Sequence, residues 1–225
     1  MNIKIFTPLA LLAATLISGT AWAQSDEQLW TAAAATVKLS DDWRVSEELV
    51  ARFSDNRAGL YEIESSTLVG YRLAEGVTLW AGYVHNPQYD SGDFRVLERR
   101  AREQISFDNL ARIGPGKLSG RLRFEQRWRE GSEATGWRVR PQLKYSLPLR
   151  GKTALNLSSE PFINLNRTGF QRQSGLDRVR NLVTISTPFS KSLSAEAGYL
   201  NQHGFVRGGP DTSDHVAFLG VSLSL

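Results

Sequence analysis

The sequence predicts an all-β chain: a single antiparallel transmembrane β-barrel of about 10 to 12 strands in up-and-down order. Three observations carry this: a period-two split of apolar and ionised residues, a secretory leader, and connections of two alternating lengths. The split is clearest from Leu118 to Leu147. Leu118, Leu122, Phe124 and Trp128 alternate with Ser119, Arg121, Arg123, Glu125, Arg127 and Arg129. After a Gly-rich turn, Trp137, Val139, Leu143, Tyr145 and Leu147 alternate with Arg138, Arg140, Gln142 and Lys144. Successive side chains of a strand point to opposite faces, so such a ribbon separates two different solvents.

Alternation bounded by turn residues gives eleven strand candidates with no helix between them. They run from Leu29 to Leu39, Trp43 to Ser54, Leu60 to Leu73, Val77 to Asn86, Val96 to Leu110 and Lys117 to Arg129. The rest span Gly136 to Leu147, Thr153 to Asn164, Asp177 to Thr187, Leu193 to Gln202 and His215 to Leu225. Most reach the roughly 9 to 11 residues that a tilted strand needs to cross a bilayer. An odd number conflicts with the even count of most single-chain bacterial barrels. One candidate outside the wall, a missed strand, or an unusual arrangement of the Ala-rich first segment would reconcile the two.

The links at Asp41-Asp42, Ala74 to Gly76, Ile113 to Gly116, Leu149 to Gly151 and Pro188 to Lys191 are tight. Between them come longer ones: Asp55 to Gly59, Pro87 to Arg95, Glu130 to Thr135, Leu165 to Leu176 and His203 to Asp214. Short turns on one rim and longer loops on the other describe a bacterial outer-membrane barrel, with the short rim periplasmic.

Met1 to Ala23 has a one-lysine n-region, an apolar run from Ile5 to Ile17 and a small-residue exit at Ala21-Trp22-Ala23. This is the layout of a cleaved signal peptide, which leaves residues 24–225 as one domain. The run is shorter than the roughly 20 residues of a spanning helix. Without a cysteine there is no lipid attachment, disulfide or thiolate metal site. The small basic excess is not a one-sided patch, so no nucleic-acid partner is expected. The bases are 21 Arg and 6 Lys. Planar, multidentate Arg suits packed networks with carboxylates, so charges facing one another across a confined interior are expected.

The expected lumen network comprises Glu98, Arg100, Arg102, Arg121, Arg123, Glu125, Arg127, Arg138, Arg140, Glu160, Asn164, Arg178 and Arg180. Glu48, Arg52, Glu62, Glu64, Arg72 and Glu196 share that face. Such charges either plug a narrow barrel as Arg–carboxylate pairs or line a basic constriction that selects anions. Trp43, Tyr71, Trp80, Trp128, Trp137, Tyr145 and Tyr199 stand near strand ends, where an interfacial aromatic belt belongs. Glu47, Arg99, Glu103 and Gln126 interrupt the outward apolar face. The inverse reading, a soluble lipocalin-like binder with an apolar lumen, has the same alternation. Loop asymmetry, the Arg bias and the apolar end of the last strand favour the membrane reading.

No hydrolase, zinc-protease or phosphate-loop motif occurs. Ser213-Asp214-His215 cannot form a relay, because adjacent strand residues face opposite ways. A lipid-modifying hydrolase would need His215 with a serine from another strand. Asp211 with Asp214, or Asp90 with Asp93, read as turn residues rather than metal ligands. No cofactor or metal is expected.

Several stretches, in order, resemble a bacterial family catalogued as domain of unknown function 2490. They are Glu98-Arg99-Arg100 to Glu103-Gln104, Leu122 to Arg129, Gly136 to Arg140, Glu160 to Asn166 and Gly198 to Gln202. The resemblance implies an outer-membrane-type β-barrel and brings no activity, substrate or catalytic residue. The expected role is structural, or a narrow passive conduit. The expected partners are outer-membrane lipid and lipopolysaccharide, with the outer-membrane insertion machinery during biogenesis. Within Glu160 to Asn166, Glu160, Asn164 and Asn166 lie in phase.

Overall fold

The computed structural model describes residues 24–225; the leader expected over residues 1–23 lies outside them. Eleven strands form one closed barrel: β1 (Gln24–Lys38), β2 (Trp43–Ser54), β3 (Gly59–Ala74), β4 (Val77–Asp90), β5 (Asp93–Ile113) and β6 (Gly116–Arg129), followed by β7 (Gly136–Pro148), β8 (Ala154–Asn164), β9 (Gly175–Pro188), β10 (Leu193–Gly204) and β11 (Thr212–Ser224). A single 3-10 turn at Asp55–Arg57 joins β2 to β3.

Each strand pairs antiparallel with its neighbour in sequence, and the ring closes where β1 meets β11 in parallel, from Gln24↔Thr212 to Thr36↔Ser224. This parallel seam resolves the odd count and corrects the purely antiparallel expectation. Both strands start at the long-loop rim, where the Gln24 amide donates to the Asp211 carbonyl at 3.1 Å. Both end at the tight-turn rim, where Lys38 N–H donates to Leu225 O at 2.8 Å. A parallel closure needs no connecting residues, so no local sequence signal announces it.

One connection also differs from its expected class. Pro87 to Arg95 is not a loop: β4 and β5 continue to Asp90 and Asp93, and only Ser91 and Gly92 turn the chain. Their φ values of 54° and 86° are those of a type I′ hairpin, whose twist matches the strands. Pro87 occupies an outward strand position and does not end the strand.

Burial follows parity around the ring. Among the described residues, buried side chains comprise 21 polar or charged residues and eight apolar ones, while 29 large apolar residues are exposed. The barrel therefore has an ionised core and an apolar exterior, the reverse of the lipocalin-like alternative. On β7, Arg138 and Arg140 point inward while Leu143 is 54% exposed.

The aromatic positions divide. Trp43, Tyr71, Trp128 and Tyr199 are exposed on the outer face, and Trp137 and Tyr145 share the outward parity of Leu143. Trp80 does not belong to the belt: it shares the inward parity of Thr78, Val84 and Asn86. Its indole N–H donates to Ser106 Oγ at 2.7 Å, and its ring lies over Gly70, where an added Cβ would come within 2.6 Å of it. Gly70 leaves the space that lets the ring fold into the lumen.

Candidate functional site

The core of the lumen is a continuous network of guanidinium and carboxylate groups. On β5, the alternation Glu98-x-Arg100-x-Arg102 sends three charged side chains inward. The strand register then sets Arg100 beside Arg127, Arg102 beside Glu125, and Glu125 beside Arg138.

Glu125 is completely buried and accepts hydrogen bonds from three arginines. Arg102 donates through Nε (3.1 Å) and Nη2 (2.9 Å), Arg138 through Nε (2.9 Å) and Nη2 (2.6 Å), and Arg140 through Nη1 (3.1 Å). Glu64 bridges the other side, accepting from Arg102 (2.8 Å), Arg100 (3.1 Å) and Arg52 (3.2 Å). Glu98 accepts from Arg100 at 2.6 Å and from both Nε and Nη2 of Arg127 at 3.0 Å. Arg52 also pairs with Glu62. Neutral acceptors take up remaining donors: Asn86 Oδ1 binds Arg100 at 2.7 Å and Ser66 Oγ binds Arg102 at 2.7 Å. A buried charge is tolerated when partners surround it in this way, and a half-satisfied network would be worse than none.

At the β7–β8 contact, Pro141 and Pro161 stand opposite each other without amide donors. Pairing lapses there between Val139↔Ile163 and Leu143↔Ser159. Inward from this gap, Glu160 accepts from Arg121 and Arg140, each at 2.9 Å. The Phe162 ring supplies a face for Arg140 (4.1 Å), Arg180 (4.6 Å) and Arg138 (5.0 Å), and Trp30 one for Arg52 (4.5 Å) and Arg180 (4.6 Å). Such stacking partly offsets the loss of hydration.

The segment between β8 and β9 folds over the long-loop end. Gln171, 2% exposed, accepts from Arg127 at 3.0 Å and donates to the Trp137 carbonyl (3.1 Å) and to Asn166 Oδ1 (3.0 Å). Phe170 packs beneath Arg127 and Arg129. Gln173 donates to the Phe205 carbonyl, and its Oε1 accepts the Arg207 amide at 3.2 Å, tying this segment to the next loop. In that loop Asp211 accepts from the Val206 amide and from His203, which hold its carboxyl below the usual carboxylate range. In the tight-turn half of the lumen the partly exposed Ser46, Ser119, Ser158 and Ser186 stand among the inward-facing Arg44, Glu48, Trp80, Lys144 and Glu196.

All thirteen residues expected in the lumen network face the interior. Asn164 does so without a charged partner, donating to the Gln173 carbonyl at 3.0 Å. Asn166 lies beyond β8 and clamps two loops, accepting the Trp137 amide (2.8 Å) and donating to the Thr135 carbonyl (2.8 Å). Sequence reasoning missed Gln171 and Gln173, which lie in an aperiodic loop, and the aromatic supports Trp30 and Phe162. Both aromatics share parity with inward polar neighbours, Gln28 and Glu160, and that was the available signal.

Three of the four polar residues on the outer wall, Glu47, Glu103 and Gln126, find hydrogen-bond partners there. Glu47 accepts from Ser65 at 2.7 Å and from Thr67, both on β3. Gln126 donates to Glu103 at 3.5 Å, and Arg99 stands in register with Trp128. His85 faces outward opposite Arg99. His215 also faces outward, its Nδ1 2.6 Å from Tyr199 Oη, while Ser213 accepts from Asn201 at 3.0 Å. No histidine among the described residues hydrogen-bonds a serine, and no three metal-binding side chains converge.

A family model described as "Protein of unknown function (DUF2490)" matches residues 27–213. An uncharacterised protein of Methylorubrum extorquens is 28% identical over 200 residues, covering 87% of this chain and 86% of that protein. No solved structure matches.

Proposed function

The chain belongs to the DUF2490 family, and from that premise we propose that it is an outer-membrane β-barrel of structural role, non-enzymatic, with a lumen closed to the passage of solutes. The observation that supports this best is the pairing of an apolar outer wall with a core of interlocked ion pairs under a loop lid. The apolar wall suits hydrocarbon. In the core, Arg102, Glu98 and Glu125 are each 0 to 1% exposed, so no continuous water path passes them. The outward apolar residues of β11, Leu219 and Val221, suit recognition by the outer-membrane insertion machinery, and outer-membrane lipid and lipopolysaccharide would surround the wall.

Conductance across a planar bilayer tests the closed lumen. Refolded protein that shows a heat-modifiable band is expected to leave the bilayer silent. Uniform conductance steps would replace the structural role with that of a conduit. Recovery of the native protein in a detergent-free periplasmic extract would remove the membrane reading altogether.

A further inference from the structure

Charge is not evenly matched along the lumen. Around Glu64, Glu98 and Glu125 the carboxylates interleave with arginines, but around Glu160 guanidinium groups are in excess. Glu160 binds Arg121 and Arg140 and stands in register with Arg180 across β8 and β9. Arg123, 4% exposed, donates to Gln104 Oε1 at 2.9 Å, and Arg180 to Gln202 Oε1 at 2.7 Å. Neither has a carboxylate within ion-pair distance among the described residues.

Arg123 is buried among the like charges of Arg102, Arg121 and Arg140, with the carboxylate of Glu160 beside them. Arg180 faces Arg52, Arg140 and Arg178 against that same carboxylate. In addition, the Nε–H groups of Arg121 and Arg140 are buried without an acceptor. Arginine cannot shed its proton, so burial cannot be relieved by neutralisation. The close acceptors of Arg123 and Arg180 are the neutral Gln104 and Gln202, so an anion entering from outside the chain would supply the counter-charge they lack at hydrogen-bond range.

We propose that Arg121, Arg123, Arg140 and Arg180 form a binding site for a small multivalent oxyanion of the phosphate class. Tetrahedral oxyanions match several planar guanidinium forks at once, which a halide cannot do. Gln171 and Gln173 close the long-loop end, so entry is from the tight-turn end, past the partly exposed Ser46, Ser119 and Ser158 and the inward-facing Arg44, Trp80 and Lys144. The Arg121 side chain is 25% exposed, so solvent reaches the edge of the cluster. Glu48 and Glu196 face the same half of the lumen and have no ion-pair partner among the described residues. Glu48 lies on β2, across the ring from β6 and β7, and so biases an entering anion toward the arginine wall, while Glu196 on β10 accepts from Thr184 at 3.2 Å. The site itself rests only on the lumen geometry; that this end faces the periplasm rests on the membrane reading.

The test is thermal unfolding of the full mature chain, refolded in detergent, titrated with inorganic phosphate against sodium chloride at matched ionic strength. Phosphate is expected to raise the unfolding temperature saturably and chloride is not. Arg123→Gln is expected to weaken phosphate binding at least tenfold, and to unfold at a higher temperature than the parent in phosphate-free buffer, since it removes an uncompensated charge. Arg172→Gln, in the exposed loop, should leave binding unchanged. If Arg123→Gln lacks the heat-modifiable band, Arg180→Gln carries the same comparison. Equal responses to phosphate and chloride, or undiminished phosphate binding by a folded variant, would overturn the site. Either result in a protein that still inserts into vesicles leaves the barrel reading intact.

Discussion

Replacing Glu125 with glutamine is expected to destabilise the barrel by about 3–5 kcal/mol, the cost of removing one partner from a buried charge network. Glutamine keeps the shape but carries no charge and only one acceptor oxygen. Arg102, Arg138 and Arg140, which give Glu125 five hydrogen bonds, would then share a buried site without their common counter-charge. A urea midpoint measured on protein refolded into vesicles reads the loss, with a missing heat-modifiable band as its extreme. Glu75→Gln is the matched control. That carboxylate is exposed in the tight turn between β3 and β4, so its replacement should change stability by less than about 0.5 kcal/mol. Equal midpoints for Glu125→Gln and the parent would mean that the network is not what stabilises the core.

Leu143→Arg is the complementary experiment on the other face. Leu143 lies midway along β7, points outward and is 54% exposed. In water, an exposed leucine exchanged for arginine changes little. At the middle of a bilayer the same exchange costs about 2–4 kcal/mol. The inward neighbour Lys144 provides the contrast, since Lys144→Arg keeps a cation in a polar lumen and should be neutral. Unfolding in vesicles is expected to separate the two variants by several-fold in denaturant sensitivity. An indistinguishable pair would show that β7 does not face lipid.

How far the sequence foretold the barrel depended on how sharply each strand sorted its residues. On β6 and β7 one parity is ionised and the other apolar, so both strand and facing are readable. On β4 the inward Trp80, Gly82 and Val84 are as apolar as the outward Leu79, Ala81 and Tyr83. Period alone could not place Trp80 there, because the deciding fact is the space above Gly70 on the neighbouring strand. The Ser91–Gly92 hairpin was hidden by Pro87, since proline ordinarily argues against a strand interior. The β1–β11 seam joins residues about 190 positions apart through backbone pairing alone, which no local pattern records. The Arg–Glu composition of the network was legible, but which carboxylate serves which arginine depends on register. The surplus around Glu160 follows from strand geometry that composition cannot supply.

The most direct test of the account uses the absence of cysteine, which makes any introduced thiol unique. Single variants along β6 and β7, namely Ser119→Cys, Leu122→Cys, Phe124→Cys, Gln142→Cys, Leu143→Cys and Tyr145→Cys, would each be labelled with a fluorophore and reconstituted with brominated lipid. Strong quenching is expected at 122, 124, 143 and 145 and weak quenching at 119 and 142, following strand parity. Uniform quenching, or quenching confined to 119 and 142, would contradict a barrel that turns its arginines inward and its leucines to lipid.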